Sequence, residues 1–419
     1  MNDQPKSRRI KFLFKVVNGA TPQSSVPEYW DGDIPWITPE DIANKPNPSI
    51  YKTRRRITKE GYESCGTTLA PKGSIVLSTR APIGNMGILE VELCSNQGCK
   101  ILIPNKLVIP KFGYYSLFAY SDYLVSLGQG STFRELSSDS LKNTAIPIFP
   151  LTIQKAIATY LDKETARIDA LIAKKERQID LLQEKRQAII TRAISKGLDP
   201  NVKKKDSGVE WIGEIPDKWE VRRLKYISLG TTVGIVINPS SYYQYDGVVC
   251  LRSLNISSGV IDLNESVFIS EESNKLLCKS ILHEGDVVVV RTGKAGTPVI
   301  IPKEHDGCNC IDLLIIRKTK KMLSEYIYYY LKSDLAKLQV NTNSVGTIQS
   351  HFNTETLTEM VFTFPSIEEQ REVIMEVKEI DMKIEKTLNV IAKSVALLRE
   401  YRSSLITATV SGQKEVGIE

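Results

Sequence analysis

No run of 18 apolar residues occurs in this 419-residue chain, so no membrane-spanning helix is expected. The opening Met1-Asn-Asp-Gln-Pro-Lys-Ser-Arg-Arg has neither the apolar core nor the cleavage site of a signal peptide, and a cytoplasmic protein is expected. Histidine is scarce: His283, His305 and His351 lie far apart. The seven cysteines (Cys65, Cys94, Cys99, Cys250, Cys278, Cys308 and Cys310) are odd in number and scattered, which argues against a disulfide framework. Cys308-x-Cys310 is a lone close pair without a second pair or a His-x3-His, so zinc spacing is missing and no bound metal is expected. Buried, reduced thiols are the expectation.

Catalytic signatures are missing as well. No G-x-x-x-x-G-K-[ST] occurs, and Thr292-Gly293-Lys294-Ala-Gly-Thr is too short to cradle phosphates. No G-x-G-x-x-G follows a strand. Asn47-Pro-Ser-Ile and Asn238-Pro-Ser-Ser lack the second proline and the aromatic residue of adenine methyltransferases. Pro216-Asp217 with Glu220-x-Arg222 does not supply metal carboxylates from separate strands. No G-x-S-x-G elbow appears. We expect no enzyme, no catalytic residue and no cofactor bound by this chain.

The chain does contain a duplication, the kind of feature that decides a fold. Residues near 150–197 and 365–413 match at an offset of 216: Gln154 with Gln370, Glu184 with Glu400, Arg186 with Arg402, Ser195 with Ser411. From Ile153 to Ile194 there is no Gly or Pro, and Leu161, Ile168, Leu182 and Ile189 share one seven-residue register that Lys175 interrupts. In the second copy Val377, Ile384, Ile391, Leu398 and Leu405 are each seven apart, with Val373, Ile380 and Tyr401 assigned to the other seam. Ser366-x-x-Glu369 is a capping box after Pro365. Sevenfold apolar spacing is that of a left-handed coiled coil. The expected fold class is α+β. Two globular units at 1–150 and 201–365 are followed by long helices at 151–200 and 366–419, paired antiparallel with pseudo-twofold symmetry. Two separate helices that bind other chains remain the alternative.

The globular stretches are rich in β-branched runs, aromatics and turns. Gly73-Ser-Ile-Val-Leu-Ser-Thr-Arg80 parallels Gly285-Asp-Val-Val-Val-Val-Arg291-Thr, each a strand that ends in a polar, basic loop. Helices are expected near 112–127 and 324–339. Residues 1–150 carry 18 Lys+Arg against 13 Asp+Glu, and 151–205 carry 13 against 7, so a polyanion partner suits the first half. Base edges are read by Arg, Lys, Asn, Gln, Ser or Thr on rigidly held loops. The candidates in the first unit are Arg54, Arg55, Arg56, Lys59, Thr79, Arg80, Asn96, Gln97, Ser131, Thr132 and Arg134. In the second they are Arg252, Ser253, Arg291, Thr292, Lys294, Thr347 and Gln349.

Asp206-Ser-Gly-Val-Glu-Trp-Ile-Gly-Glu-Ile-Pro216, followed by Lys218-Trp-Glu-Val-Arg-Arg-Leu-Lys225, resembles the entry segment of recognition domains in type I restriction-modification specificity subunits. Phe364-Pro-Ser-Ile-Glu-Glu-Gln370 resembles that family's junction into its helix, and Leu181–Ser195 and Leu397–Ser411 resemble its helix ends. The similarity spans essentially the whole chain in the family's order. The first junction, Phe149-Pro-Leu-Thr-Ile-Gln154, departs by lacking the Glu before Gln, and the first unit lacks a Ser-Gly-Val-Glu-Trp entry. The resemblance implies a DNA-binding subunit that reads a bipartite, asymmetric target in double-stranded DNA. It implies docking of two methyltransferase subunits on the helices and recruitment of restriction/translocase subunits. S-adenosylmethionine, ATP and magnesium would sit on those partners. A stand-alone DNA-binding regulator and a coiled-coil assembly scaffold are the other readings.

Overall fold

The computed structural model describes residues 5–43, 48–129, 134–257, 259–342 and 352–417. Contacts divide the chain into a first unit, 1–176 with 392–419, and a second, 177–391. The cut therefore falls within both long helices, and each unit owns a stretch of each.

In the first unit a five-stranded sheet runs in the order Phe14–Asn18, Cys99–Pro104, Ile75–Ser78, Met86–Leu89, Ser49–Ile50. Its central strand Ile75–Ser78 is buried throughout, as a strand covered on both faces must be. Alternation sends Ile75 and Leu77 into a core with Phe14, Leu102 and Phe112, and Val76 into another with Ile37, Ile50 and Ile101. A smaller sheet orders Arg55–Ile57, Trp30–Ile37 and Cys94–Ser95.

The second unit repeats this plan. Its main sheet orders Thr231–Val233, Leu313–Ile316, Val287–Val290 and Pro298–Ile300. Val287 and Val289 face one core, Val288 and Val290 the other. Its second sheet orders Tyr243–Gln244, Val267–Ile269, Val248–Leu251 and Asn309–Cys310. Helices Pro110–Ala119 and Ser324–Lys332 sit near the expected places, each continued by a second helix, Ser121–Ser126 and Asp334–Thr342.

Each unit closes on its long helix through matching devices. Lys6–Arg9 pairs antiparallel with Ala145–Ile148, and Glu220–Arg223 with Val361–Phe364. The long helices Leu151–Lys196 and Ile367–Val410 follow those closing strands. Gln154 is fully buried; its side chain accepts from Ile109 N at 2.9 Å and donates to the carbonyls of Leu107 at 2.8 Å and Phe149 at 2.7 Å. Gln370 repeats the pattern, accepting from Leu323 N at 2.8 Å and donating to Lys321 O at 3.5 Å and Pro365 O at 3.0 Å. The expected capping box also forms: Ser366 N donates to Glu369 Oε2 at 3.1 Å, and Glu369 N to Ser366 Oγ at 3.2 Å.

Within each unit the two helix stretches run antiparallel. In the first, Leu161, Ile168 and Ile172 pack with Val395, Leu405, Ile406 and Val410, and Arg399 reaches Glu176 at 2.7 Å. In the second, Ile190, Ala193 and Ile194 pack with Val373, Ile374 and Val377. Leu161, Ile168, Val377, Ile384 and Leu405 are buried, whereas Leu182, Ile189, Ile391 and Leu398 are half-buried. The second seam holds in part: Val373 is buried and Ile380 half-buried, but Tyr401 is 54 % exposed, and from Asp381 onward the inward positions are Asp381, Leu388, Val395, Arg402 and Thr409. The reason is charge pairing: Arg402 donates to Asp169 at 3.2 Å in the first unit. In the second, Asp381 accepts from Arg186 and lies 3.6 Å from Lys332. Polar residues thus occupy seam positions that an apolar pattern assigns to neighbours.

Among the described residues no helix is long and apolar enough to cross a membrane, and no group of three or more His, Cys, Asp or Glu could hold a metal. Burial pushes the thiols of Cys94, Cys99 and Cys250 up to about 12, which keeps them protonated and unreactive. Cys278 departs from the expectation of buried thiols, being exposed.

Candidate nucleic-acid interface

In each unit three chain segments converge at one end of the main sheet. In the first, the chain leaves strand Phe14–Asn18 at Gly19, whose N donates to Cys99 O at 3.3 Å, while Ala20 N donates to Ser95 O at 2.9 Å. A Cβ on Gly19 would lie 1.9 Å from the Asn96 carbonyl oxygen, so only glycine permits this approach. Thr79 N, leaving Ile75–Ser78, donates to Gly98 O at 2.8 Å. In the second unit Gly234 N donates to Leu313 O at 2.8 Å and Ile235 N to Cys310 O at 2.8 Å. A Cβ on Gly234 would lie 2.6 Å from Cys310 O. Sequence reading missed this glycine pair; its signal is a glycine just after the second paired strand in both halves.

Side chains in the first unit gather around a cavity of about 580 Å³ lined by Thr21, Trp36, Thr38, Arg54, Arg55 and Asn96, among others. Arg55 stacks 3.8 Å over the ring of Trp30, and Trp30 meets Trp36 edge-on at 5.2 Å. Trp36 Nε1 donates to Ala20 O at 3.0 Å, tying the aromatic pair to the glycine loop. Arg54 pairs with Glu40 at 3.1 Å, and its backbone N donates to Asp41. Arg56 donates to the Asp33 carbonyl, and Lys59 opens a short helix with Glu63 3.9 Å away. Asn96 Oδ1 accepts from Gly98 N at 3.0 Å, and exposed Gln97 accepts from the Thr21 hydroxyl. Arg80 is half-exposed and paired with Glu135 at 3.1 Å; Arg134 is exposed.

Thr79 must be withdrawn from the candidate surface. It is fully buried and its hydroxyl donates to Gly98 O at 3.3 Å, because the segment it leads into lies against the 95–99 loop. Ser131, Thr132, Thr347 and Gln349 lie outside the described residues.

The second unit neutralises its cations. Arg291 donates to Asp312 at 2.6 Å, and the Thr292 hydroxyl donates to the same carboxylate at 3.2 Å. Arg252 donates to the Glu265 carbonyl, and its backbone N to Asn255 at 2.9 Å; Ser253 begins the adjoining turn and is half-buried. Lys294 is the exposed cation of the group. Exposed apolar residues, which sequence reading did not single out, stand nearby in the chain: Ile237 is 78 % exposed and Tyr245 99 %. Large apolar side chains bare to water are informative where they cluster.

Among the described residues no group of three or more His, Cys, Asp or Glu could hold a metal here. The arrangement is two loop platforms of unlike polarity on one frame. The family model of the type I restriction modification DNA specificity domain matches residues 2–181 and 216–392, one match per globular half. The chain belongs to this family. It is 32% identical to the type I restriction enzyme MjaIX specificity subunit of Methanocaldococcus jannaschii, over 77% of this chain and 74% of that one. It is 25% identical to the EcoBI specificity subunit of Escherichia coli, over 95% of this chain and 84% of that one. The fold matches a chain from a solved structure on assembly and conformational transition of the type I R-M system. The TM-score is 0.73 at 14% identity, covering 97% of this chain and 98% of that one. The HsdS subunit from Thermoanaerobacter tengcongensis matches with TM-score 0.52 at 13% identity, covering 98% of each chain. Members of the family are specificity components and not catalytic ones, in keeping with the motifs that fail.

Proposed function

We propose that each globular unit reads one half of a split, asymmetric target in double-stranded DNA, and that the paired helices dock two methyltransferase subunits and, through them, restriction/translocase subunits. In this reading the first unit reads with Arg54, Arg55, Arg56, Lys59, Arg80, Asn96, Gln97 and Arg134. The second reads with Arg252, Ser253, Arg291, Thr292 and Lys294. S-adenosylmethionine, ATP and magnesium belong to the partners.

The observation that carries this is the pairing of sameness and difference. The two units share strand closure, the buried glutamine and the glycine approach, yet fill the converging segments with different side chains. Phosphate contacts position a protein on DNA, and base contacts specify. A duplicated frame with divergent loops suits two half-sites of different sequence.

The helices serve as a ruler in this proposal, as dimer geometry sets half-site spacing in other DNA-binding proteins. Inserting seven residues into both helices adds two turns, roughly 10 Å of helix. Sequencing of modified bases should then show a gap longer by about three base pairs at roughly 3.4 Å each, with both half-sites unchanged. An unaltered gap would refute the ruler.

A further inference from the structure

The two long helices differ on the face turned away from their buried seams. On the first helix, Lys163, Arg167 and Lys174 lie in the first unit, and Arg177, Lys185, Arg192 and Lys196 in the second; all are exposed. At about 100° per residue the three in the first unit fall within about 40°, on the side away from buried Leu161 and Ile168, and the four in the second within about 100°, on the side away from buried Ile190 and Ala193. No acid shares either arc; the second also holds Gln178, Leu181, Ala188 and, at the helix end, buried Ser195. Arg167 and Arg177 have only long contacts, to Glu164 at 3.9 Å and Glu184 at 4.0 Å. The other five form no ion pair among the described residues.

The duplicate does not keep this face. At the offset of 216 its matching residues are Glu379, Lys383, Val390, Lys393, Tyr401, Ala408 and Gly412, and Glu379 is paired with Lys383. Val390, Leu397 and Tyr401 are each more than half exposed there. Protein interfaces are depleted in lysine and enriched in aromatics and methionine, so the second helix carries the face suited to a protein partner. The first carries Lys and Arg at intervals of three to eight residues, five of the seven without an ion pair among the described residues, which suits a polyanion.

We infer that the outward face of the first long helix is a sequence-independent binding surface for DNA phosphates, separate from the reading loops. It would hold backbone that neither unit reads and add affinity without adding specificity. Neutralising phosphates releases counterions, so each contact contributes about −0.9 to the slope of log affinity against log salt. The inference rests on the reading that this chain engages DNA, and adds a surface to it.

The test uses the full-length chain and a labelled random-sequence duplex of about 40 base pairs, with affinity measured from about 50 to 200 mM salt, where such slopes are well resolved. Glutamine keeps helix propensity close to that of Lys and Arg, so K163Q/R167Q/K174Q and K185Q/R192Q/K196Q should remain helical by circular dichroism. Each triple variant should flatten the slope by about 2.7 for three lost contacts. The methylated target of the assembled enzyme should stay the same. Slopes equal to the parent's would overturn the inference. So would unchanged slopes with lost co-purification of the methyltransferase, which would make the face a protein dock. If the parent chain shows no salt-dependent binding at all, the DNA reading itself fails.

Discussion

The two globular units solve one problem with opposite surfaces. In the first, Arg55 lies on Trp30 and forms no ion pair among the described residues, and Arg54, Asn96 and Thr21 share its cavity. In the second, Asp312 takes up Arg291 and Thr292, a loop carbonyl takes up Arg252, and Ile237 and Tyr245 are bare. What they share is the frame: the closing strand pair and the buried glutamine at the helix, and the glycine approach that brings the loops together. Duplication thus preserved what holds a unit on its helix and released what faces outward. Under the proposed DNA reading, hydrogen bonding suits the first surface, and apolar contact is added in the second.

The shared part should break hardest. In the second unit Asp381 meets both Arg186 and Lys332 in a place where its side chain is only 14% exposed. Asp381→Ala leaves Lys332 without its ion-pair partner and Arg186 with Glu385 alone, at 3.0 Å, and removal of one partner from a buried pair costs about 3–5 kcal/mol. The first unit offers the control: Asp169→Ala, on the matching Arg402, strands one cation beside Phe118 and should cost less. Thermal or denaturant unfolding of both variants checks the order, and equal losses would show that Lys332 adds nothing.

Gln154→Ala and Gln370→Ala should come next. Each removes an amide with three backbone partners and leaves buried groups unsatisfied, about 2–3 kcal/mol. Because the long Lys321 contact, at 3.5 Å, is the weakest of the six, the second variant should lose slightly less. Hydrogen exchange should place the loss in the altered unit, and protection lost equally in both units would contradict separate clamps.

Much of this frame was legible in sequence because it is periodic or repeated. The sevenfold spacing gave the buried Leu161, Ile168, Val377, Ile384 and Leu405, and the 216 offset flagged Gln154 and Gln370 before any role was known. The second seam holds at Val373 but not at Tyr401, because pattern reading takes only apolar residues as inward. Arg402 and Asp381 turn inward through partners 233 and 195 residues away in sequence, which no local window contains. The loops were least legible for the same reason. Thr79 and Arg80 look alike as polar strand-end residues, and only the 95–99 loop decides that one is buried and the other exposed.

Arg55→Ala sharpens the comparison at the reading surface. If Arg55 reads a base, the variant should weaken binding to the first unit's half-site by about 1–3 kcal/mol, and leave the other half-site untouched. Competition binding with each half-site scrambled in turn measures this. A uniform loss across both sequences would mark Arg55 as a phosphate contact instead.

The smallest effect belongs to the apolar surface of the second unit. Burying an exposed aliphatic side chain against a thymine methyl gains roughly 0.8 kcal/mol per CH₂-sized group removed from water. Ile237, bare in the free chain, has most of its surface available for that gain. Replacing thymidine by deoxyuridine throughout the second half-site should therefore weaken binding by about threefold to fivefold, close to the value of one such group. The same replacement in the first half-site should change little, since Arg54, Arg55 and Asn96 offer hydrogen-bonding or charged tips instead. Ile237→Ala should remove most of the sensitivity in the second half-site. If deoxyuridine weakened both half-sites alike, the proposed contrast in reading chemistry would be wrong, even with the shared frame intact.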